Sequence, residues 1–79
     1  MGSLSRELDL HGLNRQDAFD LVEDELLKRS MRGSFDLTII TGNSKPMREG
    51  VIEVCERHGF SFYQPSSNLG QIIVSYIGF

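Results

Sequence analysis

The chain has 79 residues, enough for one small domain; by surface-to-volume scaling such a domain buries about 60–65% of the surface its unfolded chain exposes, so one two-layer core is the ceiling. With 39% hydrophobic and 24% charged residues, and no apolar run near the length of a membrane span, the composition is that of a folded, soluble chain. A formal net charge of −3 excludes the blanket attraction to nucleic acid that a chain-wide basic excess supplies.

The single cysteine, Cys55, cannot form an internal disulfide, and the N-terminus lacks the basic and apolar pattern of a signal peptide. Both features lead to the expectation of a reducing, cytoplasmic setting. Residues 4–79 are taken as the domain, with Met1-Gly2-Ser3 set aside as an expression remnant or a disordered end. Local charge softens the acidic total: Lys28, Arg29 and Arg32 cluster at the end of one helical segment, and Lys45 and Arg48 open another. These clusters are read either as a small basic face or as solvated charges favouring a helix end.

The first strand is carried by Arg6-Glu7-Leu8-Asp9-Leu10-His11, where a period of two sets Leu8 and Leu10 on one face and Asp9 and His11 on the other. Residues two apart on a strand lie about 6.5–7 Å apart, close enough for Asp9 and His11 to serve one site. Gly12 then allows a sharp turn. Asn14 is a good helix cap with Asp17 three residues on, and a helix is predicted to about Met31, with Ala18, Phe19, Val22 and Leu26 inward and Asp20, Glu23, Asp24 and Lys28 toward water. Arg32 and Gly33 suit its end.

Residues Asp36 to Thr41 are β-rich and predict a buried second strand, completing a βαβ unit with parallel strands and a right-handed crossover. Both strands then deliver their carboxyl ends to one edge, the place where open α/β sheets bind ligands. Ser44 is a cap for a second helix with Pro46 in its first turn, and Met47, Val51, Val54, Cys55 and His58 recur at helical spacing up to Gly59. A hairpin closes the chain: Phe60 to Gln64, a loop from Pro65 to Gly70, and a strand from Gln71 to Ile77 whose two faces are equally apolar. The predicted order is βαβαββ, an α+β two-layer sandwich with two helices on one face of a four-stranded mixed sheet.

The string Leu8-Asp9-Leu10-His11-Gly12-Leu13 resembles the signature of the Smr domain, the small MutS-related family. The likeness runs from Glu7 to Ile77. Thr41-Gly42-Asn43-Ser44 is similar to the family's Thr-Gly-x-Gly loop with Ser44 in place of its second glycine, and Met47-Arg48-x-x-Val51 resembles the Leu-Arg-x-x-Val that opens the family's second helix. The resemblance implies a fold similar to the C-terminal domain of bacterial translation initiation factor three. It also implies nucleic-acid binding, with many members acting as endonucleases on DNA or RNA through the Asp-x-His pair.

On that reading Asp9 and His11 are the catalytic candidates. An imidazole ordinarily exchanges a proton near neutral pH, so His11 suits general base work on a ribose 2′-hydroxyl or acid work on the leaving oxygen, with Asp9 orienting it or sharing the proton. Gly12, Thr41, Gly42, Asn43, Ser44, Lys45 and Arg48 are the phosphate-binding candidates, the anion resting at the second helix's N-terminus. Ser44 matters to this picture if its position demands a positive φ or a close backbone approach. No resident cofactor is expected: Asp9, His11 and His58 make a sparse ligand set, which leaves a divalent ion recruited with phosphate as the remaining form of metal dependence.

Each motif also has a plainer reading. Asp9-x-His11 can be the polar outer face of a strand, Thr41 to Ser44 a capped turn, and Cys55 a core packing residue. Tyr63 and Tyr76 can stack bases on an open sheet face or cover the core. The functional expectation is a monomeric nucleic-acid-binding domain and candidate endonuclease, RNA ahead of DNA, without a membrane role. The rivals are a binding module without catalysis and a protein-interaction adaptor acting through the acidic helix faces.

Overall fold

Two polar caps set the helices. In the computed structural model, which describes residues 6–67 and 70–78, Asn14 accepts a hydrogen bond from the Asp17 N–H at 2.8 Å and starts helix α1, Arg15–Arg32. Ser44 accepts from the Met47 N–H at 3.2 Å and starts helix α2, Lys45–Arg57, with Pro46 in the first turn where no intrahelical donor is required. Each side chain satisfies one of the donors that a helix start leaves unpaired. Residues 4, 5, 68, 69 and 79, which the expected domain and hairpin loop include, lie outside the described residues.

Four strands, β1 (Glu7–Asp9), β2 (Phe35–Ile40), β3 (Ser61–Tyr63) and β4 (Gln71–Tyr76), form one sheet in the order β1-β2-β4-β3. β1 and β2 are parallel, while β4 runs antiparallel to both β2 and β3. The order is the expected βαβαββ. Its registers decide the question the last strand left open: Leu37 pairs with Val74 and Ile39 with Ile72, and these four are fully buried. They share one cluster with Ala18, Val22 and Leu26 of α1 and Met47, Val51, Val54 and Cys55 of α2, so both helices cover that face. The other face, carrying Asp9, Thr38, Ile40, Ile73 and Tyr63, is half-buried or exposed. Among the described residues no helix is long and apolar enough to cross a membrane.

The helices approach closely at Gly50, where an added Cβ would overlap the Phe19 ring. At the far end of the sheet Phe35 and Tyr76 stack with centroids 5.7 Å apart, and Phe60 meets both edge-on. Three expectations are sharpened. His58 does not continue the buried stripe: it caps the C-terminus of α2, is exposed, and bonds the Glu23 carboxylate at 2.7 Å. Glu23 therefore reaches toward the second helix while its side chain stays 36% exposed. The basic cluster ending α1 is not an open basic face either, because Arg29 is only 6% exposed and bonds Glu25, while Lys28 pairs with Asp24 and Glu25.

Candidate functional site

Leu8 and Leu10 anchor the first turn of the site. Leu10 is buried, and its N–H donates to the Ile40 carbonyl at 3.0 Å, which ties the end of β1 to the end of β2. The regular strand stops at Asp9, shorter than the alternating pattern predicts, for a local reason: the Asp9 Oδ1 accepts the His11 backbone N–H at 2.8 Å and bends the chain. A Leu13 N–H to Leu10 carbonyl bond at 3.1 Å closes the turn, with Gly12 at φ 84° in the third position, where a positive φ favours glycine. His11 thus stands exposed on the corner of a turn. Its link to Asp9 runs through the backbone, not from ring to carboxylate.

The partner loop follows β2. Thr41 is buried, and its N–H and that of Gly42 both donate to the Gly70 carbonyl, at 2.8 and 3.1 Å. The Thr41 Oγ1 lies 3.2 Å from the Gly42 and Gly70 carbonyl oxygens alike. The hydroxyl therefore faces inward, holding the start of β4 against the loop. Gly42 adopts φ 68°, whereas Ser44 sits at φ −79°, ψ 113°, an extended conformation open to any residue. Serine is therefore unstrained there, and the concern about a required positive φ does not apply at position 44.

The start of α2 offers fewer donors than a bare helix end. Pro46 has no N–H, and the Met47 N–H is held by Ser44. Asn43, Ser44 and Lys45 are exposed and Arg48 is half-buried. Gly70 is the residue that sequence reasoning missed: its contribution is a backbone carbonyl brought from the second hairpin strand, and no side-chain pattern announces an acceptor of that kind. His58, at the other end of a 13-residue helix and so about 20 Å from the α2 start, cannot join this edge.

Among the described residues no three His, Cys, Asp or Glu side chains gather in a way that could hold a metal ion. Burial pushes the Cys55 thiol up to about 11, which leaves it a packing group in the core. Concave depressions lie elsewhere, one between the helices at Phe19, Glu23, Gly50 and Arg57, another beneath Arg6, Arg29, Phe35 and Tyr76. The edge with Asp9 and His11 is a rim, bordered on one side by the open sheet face.

Fold and edge together define a small α+β domain in which Asp9 and His11 stand beside the Thr41–Ser44 loop where two parallel strands end. A family model, the Smr domain, matches residues 8–71. The chain belongs to the Smr domain family, a membership that supports a nucleic-acid-binding, nuclease-like module at family level. Comparisons with curated proteins and with solved structures return no significant match.

Proposed function

We propose that this domain cleaves the phosphodiester backbone of nucleic acid, RNA ahead of DNA, with His11 as the proton-transfer group and Asp9 as its support. The observation that carries this reading is the meeting of the Asp9–His11 turn and the Thr41–Ser44 loop at one sheet edge, joined by the Leu10–Ile40 hydrogen bond. Family membership supports it. A rim beside an open face also suits a polymer better than a small molecule, which is usually enclosed in a pocket.

RNA brings its own nucleophile. His11 takes the 2′-hydroxyl proton as that oxygen attacks phosphorus, or gives a proton to the departing 5′-oxygen as its bond to phosphorus breaks. Asp9, by accepting the His11 backbone N–H, fixes the turn that presents the ring. Lys45 and Arg48 supply positive charge for the phosphorane. The test is digestion of labelled single-stranded RNA and supercoiled DNA, with and without divalent metal. Wild type should cut and His11→Ala should bind without cutting; equal behaviour of the two proteins would refute the assignment.

A binding-only module is favoured by one observation: Ser44 and Pro46 reduce the free donors at the α2 start. Salt-dependent binding with neither substrate cut would establish that reading.

A further inference from the structure

The two tyrosines have different surroundings. Tyr76 lies in the ring cluster with Phe35 and Phe60, whereas Tyr63 is 57% exposed and, among the described residues, makes no ring contact. The registers place Tyr63 beside Ile73 on β4, and Ile73 beside Thr38 on β2. Ile40, two residues along β2 from Thr38, is the diagonal neighbour of Ile73 and the direct partner of Asp9. Ile40, Ile73 and Tyr63 thus make an apolar strip that begins at Asp9 and ends at an exposed aromatic ring on the edge strand. By ordinary strand and diagonal spacings the strip is about 17 Å long.

We infer that this open sheet face is a base-stacking platform for single-stranded nucleic acid, with Tyr63 stacking a base a short distance along the strand from the Asp9–His11 edge. The inference rests on the proposed function and names its substrate class. Three features choose the occupant. The strip is continuous with the candidate site through the Asp9–Ile40 pair. Four-stranded sheets bind single strands by stacking bases on exposed aromatics, and the strip ends in one such ring with apolar surface beside it. The charges at open-face strand positions are Glu7, Asp9 and Asp36, with Asp36 held by the Ser75 hydroxyl at 2.9 Å, and no Lys or Arg stands among them. Such a face repels phosphates but not the neutral faces of bases. The bases lie on the strip, and the backbone turns toward Lys45 and Arg48 at the rim. A duplex keeps its bases stacked on one another and cannot use the strip.

The test compares binding of a fluorescent oligouridine and of a blunt RNA duplex by wild type, Tyr63→Phe and Tyr63→Ala over a range of salt. Wild type should prefer the single strand, Tyr63→Phe should retain that preference, and Tyr63→Ala should lose about ten-fold or more in single-strand affinity. The salt slope should stay unchanged, because stacking neutralises no phosphate. Photocrosslinking of a 5-bromouridine oligonucleotide to wild type, mapped to Tyr63, is independent of how well the alanine variant folds. Unchanged binding by Tyr63→Ala, crosslinks elsewhere, or a duplex preference overturns the inference and leaves the proposed function standing. No binding to either nucleic acid overturns both. Binding of an arginine-rich peptide in place of any oligonucleotide would assign the face to a protein partner and likewise overturn it.

Discussion

Thr41 shows how one hydroxyl decides between two roles. A phosphate ligand would present it outward, but here the side chain is buried and set against the Gly70 and Gly42 carbonyls. Replacing it with valine keeps the shape and removes the hydrogen bond, while Gly70 still accepts from two backbone N–H groups. Thr41→Val should therefore cost about 1 kcal/mol in urea unfolding and change nucleic-acid affinity little; a large affinity loss at unchanged stability would restore the hydroxyl to the ligand set. The Asp9–His11 string was legible in the sequence because both residues stand in a short, ordered motif. The bond from the His11 N–H to the carboxylate was not, since alternation alone treats the strand as continuing through the turn.

At the level of elements, the two helices share the core and also meet at a close approach and in a charged cluster. Alanine at Gly50 would gain about 1 kcal/mol of helix propensity, yet its methyl would occupy space held by the Phe19 ring. Overpacking of this kind typically costs about 1–3 kcal/mol, so Gly50→Ala should be destabilising, and a smaller side chain in Phe19→Leu/Gly50→Ala should recover part of the loss. Additive losses from denaturant unfolding would show that the contact is not the cause.

Near the C-terminus of α2, His58 and Arg57 meet Glu23, and Arg57 also meets Glu53. The hydrogen bond from His58 is the largest influence on the Glu23 carboxyl; desolvation opposes it, the attraction of His58 and then of Arg57 adds to it, and together they hold the carboxyl below its ordinary value. A carboxyl lowered by folding stabilises the fold above its unfolded value and loses that contribution as pH falls through the folded one. Thermal melts from neutral into the acid range should show a steeper loss for wild type than for Glu23→Gln; parallel curves would contradict the assignment. Caps at Asn14 and Ser44 could be read in advance because they are local. The Gly50–Phe19 and Glu23–His58 contacts could not, because each joins residues of two different helices.

The whole molecule is a sheet with one face covered and one open, and its candidate chemistry lies where the open face meets the carboxyl ends of the parallel pair. Element order was readable because apolar residues recur at helical spacing in two segments, at 18–26 and 47–55, that separate short β-rich runs. The buried side of β4 was not readable, because Ile73 and Ile77 are as apolar as Ile72 and Val74; register with β2 decided it. The site was legible as two motifs and illegible as a surface, because the strip from Ile40 to Tyr63 exists only after three strands pair.

Whether the edge is catalytic is decided by single-turnover cleavage of labelled single-stranded RNA by wild type and by Asp9→Ala/His11→Ala at protein concentrations where both bind. Wild type should cut, and the double variant, bound to the same extent, should be slower by at least about 100-fold. Equal cleavage by the two proteins, or none by a wild type that binds, would contradict a catalytic edge.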